Sequence, residues 1–167
     1  MDADAKKTAL RMIPYGLYVL TAENDGQVAA ATVNWVTQTS FSPPLVAVAL
    51  KTDSGAYKLV KQTKSFVLNM LGPDQGKMAF TFFKPAQKDG DTISGHGFKP
   101  GGTTGAPILM DCPAYVECKV ADIIERGDHH TVIGEVVNAG VAKPIGGRPD
   151  EAVLHMRALG PNVFYGG

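Results

Sequence analysis

Thr32, Val33, Asn34 and Trp35, with Thr39 and Ser40 close behind, make a run of small, hydroxylated and amide side chains that stops at Pro43-Pro44. Such residues let a ligand lie close to the backbone, where main-chain N–H groups can donate to carbonyl or phosphate oxygens. The two prolines fix the exit direction and cannot continue an interior strand. One apolar stretch further on, Lys51 and Ser54 precede Tyr57-Lys58-Leu59-Val60. Ser54 can cap a helix there, and the free amides of its first turn, with Lys51 alongside, form a phosphate site. Most capping serines do nothing else, so this second site gains its meaning from lying one strand beyond the first. A third group, Phe82, Phe83 and Lys84, closes a segment in which Met78 and Phe82 share a face at i, i+4, as do Ala79 and Phe83. That aromatic face either builds core or meets a flat ligand from a helix end. His129, in Gly127-Asp128-His129-His130, is the group suited to proton chemistry near neutral pH, although a turn histidine often only meets solvent. His130 points to the opposite face of the strand.

Composition excludes several classes. The 167 residues carry 44% hydrophobic and 19% charged residues, ordinary for one globular domain spanning 1–167. Lys+Arg and Asp+Glu balance at 16 each, so neither a nucleic-acid surface nor an acidic-lipid anchor is expected. No apolar run is long enough to span a bilayer, and the start Met-Asp-Ala-Asp is not a signal peptide. The cytoplasm is the expected location. Cys112 and Cys118 match neither a redox pair nor a zinc knuckle and read as two buried thiols. Asp89-Gly90-Asp91 lacks the closing Glu of a calcium loop, and no metal site is expected.

The elements that must hold these residues are mostly strands. A short amphipathic helix runs from Asp4 to Ile13 before Pro14, and Gly16–Thr21 is strand-like. Asn24-Asp25-Gly26 supplies a tight hairpin turn, and the return strand runs into the Thr32–Trp35 stretch. Leu45–Leu50 reads as a buried strand and Ser65–Leu71 as another. Gly72-Pro73-Asp74 then opens a helix to about Lys84. The glycine-rich segment Gln87–Gly105 is long for a connection, and is expected to be a functional flap or a partly ordered excursion. Ala114–Glu125 and His130–Val137 are long antiparallel strands about Gly127-Asp128, in a meander closing toward a barrel.

With these pieces placed, the sequence resembles the flavin reductase-like family of FMN-binding split barrels. Three landmarks carry the resemblance in matching order over most of residues 14–140. They are Thr32-Val33-Asn34-Trp35 followed by Gln38–Val46, Ser54…Tyr57 before Phe66–Leu71, and Gly127-Asp128-His129 before Gly134-Glu135-Val136. The terminal Phe164-Tyr165-Gly166-Gly167 is similar too. The resemblance implies a mostly β fold with flanking helices, a six-stranded antiparallel Greek-key split barrel. It also implies a homodimer binding FMN, or sometimes FAD, near the dimer interface, with NADH or NADPH as co-substrate. By position, Thr32, Val33, Asn34 and Trp35 would border the isoalloxazine and ribityl chain. Thr39 and Ser40 would meet the flavin's polar edge or phosphate. Lys51, Ser54 and Tyr57 match the phosphate segment, and Phe82, Phe83 and Lys84 a second flavin-contacting stretch. His129 falls on the nicotinamide side. Two departures stand out: Ala56 occupies a position that many relatives fill with a polar residue, and Lys88–Gly105 follows no family pattern.

Three functions are compatible with this pattern. The favoured one is an NAD(P)H-dependent flavin reductase that feeds reduced flavin to a monooxygenase or other acceptor. A bound flavin carries the hard chemistry, so neither a nucleophile nor a catalytic triad is needed. The second is an electron carrier or ferric reductase with tightly held FMN. The third is a non-enzymatic module for a planar ligand such as haem, for which His96 in its glycine-rich loop is a weak indication. Without a Rossmann fingerprint there is no ribose-reading acid by which to choose NADH over NADPH.

Overall fold

A computed structural model describes all residues, Met1–Gly167. The chain opens with helix α1 (Ala3–Arg11), capped by the Asp2 carboxylate, which accepts from Ala5 N at 2.6 Å. Strands β1 (Tyr18–Asn24) and β2 (Gln27–Val33) form the expected hairpin. Asp25 at φ 49° and Gly26 at φ 85° take the left-handed conformations that the two-residue turn demands. Strand β3 (Val36–Phe41) turns through Ser42-Pro43 into β4 (Pro44–Lys51). Helix α2 (Gly55–Thr63) and strand β5 (Ser65–Met70) follow, with Lys64 in the left-handed region ending the helix.

Beyond β5 two expectations change. Helix α3 covers only Gly76–Thr81, not the stretch to Lys84. The Met78–Phe82 face is buried as expected, whereas Phe83 lies past the helix end and is 51% exposed. The glycine-rich stretch is neither flap nor loose excursion. Its residues build a small sheet of β6 (Lys88–Asp89), β7 (Thr92–Ile93), β8 (His96–Pro100) and β9 (Pro107–Leu109). Ile93, Ile108 and Leu109, all buried, give this sheet an apolar face, and Gly90, Gly95 and Gly105 take the positive φ of its turns. Strands β10 (Ala114–Ile124) and β11 (His129–Val141) then pair along nearly their whole lengths. Two short 3-10 turns, Pro149–Glu151 and Met156–Leu159, lead to the tail.

The main sheet has seven antiparallel strands in the order β2-β1-β5-β10-β11-β4-β3, not six, and its two edges share no ladder. The extra strand arises inside the Thr32–Phe41 run. That run is not one strand: it breaks at Asn34-Trp35, where Val36 N donates back to Asn34 O at 3.0 Å in a three-residue turn. The break leaves β2 on one edge of the sheet and β3 on the other. Two residues span only about 7 Å of extended chain, so the sheet must curl until its edges meet at this corner. Ala49 N, on β4, donates to Trp35 O at 3.0 Å and pins the corner from the far side.

Inside the curl, Leu20, Leu68, Val48, Leu50 and Val132 pack with Leu59 and Val60 of α2. Gly134 is required there, because a Cβ would stand 2.6 Å from the Phe66 ring. Cys112 and Cys118 are buried free thiols, and burial pushes both up to about 12. Under the small sheet, the buried Glu117 carboxylate accepts from Thr103 N, Thr104 N, Thr104 Oγ1 and Asn138 Nδ2. Burial raises the Glu117 pKa, but these donors outweigh it and hold the carboxyl below its ordinary value.

Candidate functional site

The corner between β2 and β3, the end of β4, the start of α2 and the end of α3 surround a cleft of about 310 Å³. Its walls are largely apolar, with Leu17, Leu50, Phe82 and Phe83 facing a few polar groups. Of the residues singled out from sequence, the cleft gathers Thr32, Val33, Asn34, Lys51, Ser54, Phe82, Phe83 and His129.

Each arrives through an identifiable local cause. Thr32 spends both its polar groups on the α3 segment: Oγ1 donates to Ala79 O at 2.8 Å, and N donates to Phe82 O at 3.1 Å. It rivets β2 to the helix end that presents the two phenylalanines, so its N–H is not free for a ligand. The N–H groups of Asn34 and Trp35, at the turn, make no hydrogen bond within the chain. Ser54 caps α2 as expected, accepting from Tyr57 N at 3.1 Å, and Gly55 and Ala56 begin the helix with unpaired amides. Lys51 and His129 are register partners across β4 and β11, which brings the helix start and the histidine side by side. The Lys51 ammonium meets Asp53 at 3.0 Å on the surface, and that hydrogen bond raises its pKa.

Five of the expected residues stand outside the cleft: Trp35, Thr39, Ser40, Tyr57 and Lys84. Trp35 is the nearest, with its ring 4.7 Å from that of His129. Its Nε1 is the buried side-chain donor that lacks a partner. Thr39 and Ser40 lie along edge strand β3, where the register slips between Gln38 and Ser40, and Thr39 is exposed. The Tyr57 ring turns into the core, where its hydroxyl lies 2.6 Å from His130 Nδ1. His130 therefore faces α2, opposite to His129, as the strand alternation requires. Lys84 follows α3 into a separate open groove.

His129 is not a solvated turn residue, since its side chain is only 12% exposed. Nδ1 lies 2.9 Å from Asp128 Oδ1, and Nε2 lies 2.7 Å from the Tyr165 hydroxyl. The hydrogen bond from His129 holds the Asp128 carboxyl below its usual range, and burial raises the Tyr165 phenol. No local pattern in the sequence places the tail that delivers Tyr165, yet Met156, Val163, Phe164 and Tyr165 all line the cleft. The available signal was the aromatic pair of Phe164-Tyr165-Gly166-Gly167, two bulky rings followed directly by two glycines.

In these terms the cleft offers flat apolar walls, unpaired main-chain donors at one corner, a helix start with a lysine beside it, and a histidine held between a carboxylate and a phenol. It suits a planar, partly polar, phosphate-bearing molecule.

Comparison with known proteins bears on what that molecule is. A family profile described as "Flavin reductase like domain" matches residues 10–160. Diflavin flavoprotein A 1 of Synechocystis sp. is 35% identical over 161 residues, which is 96% of this chain but 27% of that protein. The reductase component of a 4-nitrophenol 4-monooxygenase/4-nitrocatechol 2-monooxygenase from Rhodococcus opacus is 33% identical over 132 residues, 78% of this chain and 69% of that protein. Among solved structures, the styrene monooxygenase flavin reductase (SMOB) of Pseudomonas putida S12 superposes with a TM-score of 0.71 at 29% identity, covering 86% of this chain and 89% of the other. No helix of the chain is long and apolar enough to cross a membrane.

Proposed function

Because this chain belongs to the flavin reductase-like family, we propose that it reduces FMN or FAD with NADH or NADPH and hands the reduced flavin to a partner. The observation that carries this reading is the corner at Asn34-Trp35, where two unpaired main-chain donors border an apolar cleft. The residues present fit the group. Phe82 and Phe83 provide apolar surface for the ring, the corner amides provide donors for its carbonyl edge, and the α2 start with Ser54 and Lys51 provides for its phosphate.

When bound, flavin accepts a hydride from a dihydronicotinamide and passes the electrons on. The chain's part is to bind, orient and exclude water. Donors prearranged at the corner favour a ligand edge that gains negative charge. Lys51 must leave Asp53 to reach a phosphate, a small cost because the pair is exposed. Asp128 orients His129, whose ring packs on Trp35 and is thereby fixed against the cleft.

The curl of the seven-stranded sheet supports reading the fold as the family's split barrel, left unclosed between β2 and β3. We read residues 1–167 as one flavin-binding domain. Thr39 and Ser40 do not line the cleft of their own chain, and we read them as serving that of a second copy, so the homodimer implied by the resemblance is part of this proposal. A monooxygenase is the favoured recipient, since relatives bear names of monooxygenase reductase components. The diflavin flavoproteins support a second reading, a held flavin within a longer electron-transfer chain, because there the matched part is 27% of the protein.

An absorbance spectrum of the purified protein, repeated under nitrogen after NADH or NADPH is added with FMN, tests the proposal. Bleaching of the flavin's visible absorption band is expected at roughly enzymatic turnover rates of 1–1000 per second. No flavin-dependent oxidation of either nucleotide would overturn it. Flavin that survives dialysis would favour the held-flavin reading.

A further inference from the structure

We propose that Tyr165 sets the polarity of the cleft rim: its hydroxyl oxygen acts as an acceptor, so a ligand must present a hydrogen-bond donor there. The inference rests on the flavin reductase reading only for the names of the ligands that carry such donors.

The argument follows the protons. Asp128 Oδ1 lies 2.9 Å from His129 Nδ1, and an ionised carboxylate can only accept. Nδ1 therefore carries a proton. In the neutral imidazole Nε2 then has none and must itself accept. With His129 neutral, the 2.7 Å contact at Nε2 is the Tyr165 O–H donating inward. Having given its single proton to His129, the phenol oxygen keeps only lone pairs for anything in the cleft.

An ordinary tyrosine hydroxyl rotates and serves as donor or acceptor alike; this one is committed. The tail around it is anchored too. Asn34 Nδ2 donates to Tyr165 O at 3.1 Å, and the Trp35 ring packs 5.4 Å from the Tyr165 ring. The Arg11 guanidinium stacks 4.3 Å over Phe164, while its Nε donates to Gly166 O at 3.2 Å. A carbonyl or phosphate oxygen brought to the hydroxyl would face lone pairs, whereas an N–H or O–H would be met. The flavin N3–H belongs to the carbonyl edge already given to the Asn34-Trp35 corner, which leaves two groups for this rim: the carboxamide N–H of the dihydronicotinamide and the ribityl hydroxyls of the flavin.

The test compares the full chain with Tyr165→Phe, which keeps the ring and removes the oxygen. One arm measures KM for NADH against the reduced 3-acetylpyridine analogue, which has no carboxamide N–H. The other measures Kd for riboflavin against lumiflavin, which has no ribityl hydroxyls. In Tyr165→Phe the advantage of the donor-bearing ligand should shrink about three- to tenfold in one arm, which also names the ligand. Unchanged preferences in both arms overturn the proposal and leave Tyr165 a tether for the tail. Independently, ¹⁵N NMR of labelled histidine should show neutral His129 as the Nδ1–H tautomer; the Nε2–H tautomer overturns the proposal whatever binds. Loss of all flavin binding and nucleotide oxidation in the unaltered protein would instead refute the function, and the tautomer would still decide the polarity.

Discussion

His129, Lys51 and Ser54 divide the chemistry of the cleft between them, and they make two separate predictions. Lys51→Ala with Ser54→Ala removes a charge and the α2 cap from the phosphate region only. FMN should lose about tenfold or more in affinity by fluorescence titration, the size of a charge-assisted hydrogen bond, while riboflavin changes little. Equal losses for both would place the phosphate elsewhere. His129→Ala frees Tyr165 and Asp128 together, and should raise the nicotinamide KM several-fold with flavin affinity kept. Unaltered steady-state kinetics would remove His129 from the site. Legibility at this scale followed sequence separation. Ser54 was readable because a cap is a local device three residues long. Thr32 lines the cleft, but its polar groups are not free for a ligand, and the sequence could not show this because the carbonyls that take them, Ala79 and Phe82, lie far along the chain. Tyr165 meets His129 across 36 positions and Asn34 across 131, so no local pattern could pair them.

Among the elements, the β1–β2 hairpin and the β10–β11 pair were legible from turn residues and alternation, which act over a few positions. The small sheet was not. Its strands are two to five residues long, and its glycines look the same in a loop as in tight turns. What holds it is Glu117 on β10, whose carboxylate ties down the Thr103-Thr104 stretch just before β9. Because the folded pKa of Glu117 is below its ordinary value, its contribution is present above that ordinary value and is lost as pH falls through the lowered one. Thermal melts should therefore show stability dropping in the acid range, with Glu117→Gln showing a shallower drop. Glu117→Ala takes the acceptor from the partly buried Thr103 and Thr104 amides and should cost about 1–2 kcal/mol in denaturant unfolding at neutral pH. A variant as stable as the parent would show that other contacts hold the sheet.

For the whole molecule, the six strands implied by the resemblance become seven because Thr32–Phe41 is cut by the turn at Asn34-Trp35, which only the curl of the sheet makes necessary. The outer edge of β3 and Phe41, 92% exposed, are surfaces that a second copy would cover. Light scattering should give twice the monomer mass, and Phe41→Asp should halve it and weaken flavin binding if Thr39 and Ser40 serve the partner's cleft. A monomeric parent that binds flavin at full strength would remove those two residues from the site. The unladdered seam between β2 and β3 carries one more implication. Its two lips share no ladder hydrogen bond, so the mouth between them can gape or narrow without tearing any rung. Hydrogen exchange would see this as rapid turnover at both lips beside slow turnover on β5 and β10. A hinge of that kind would let one scaffold admit flavins with short or long appendages.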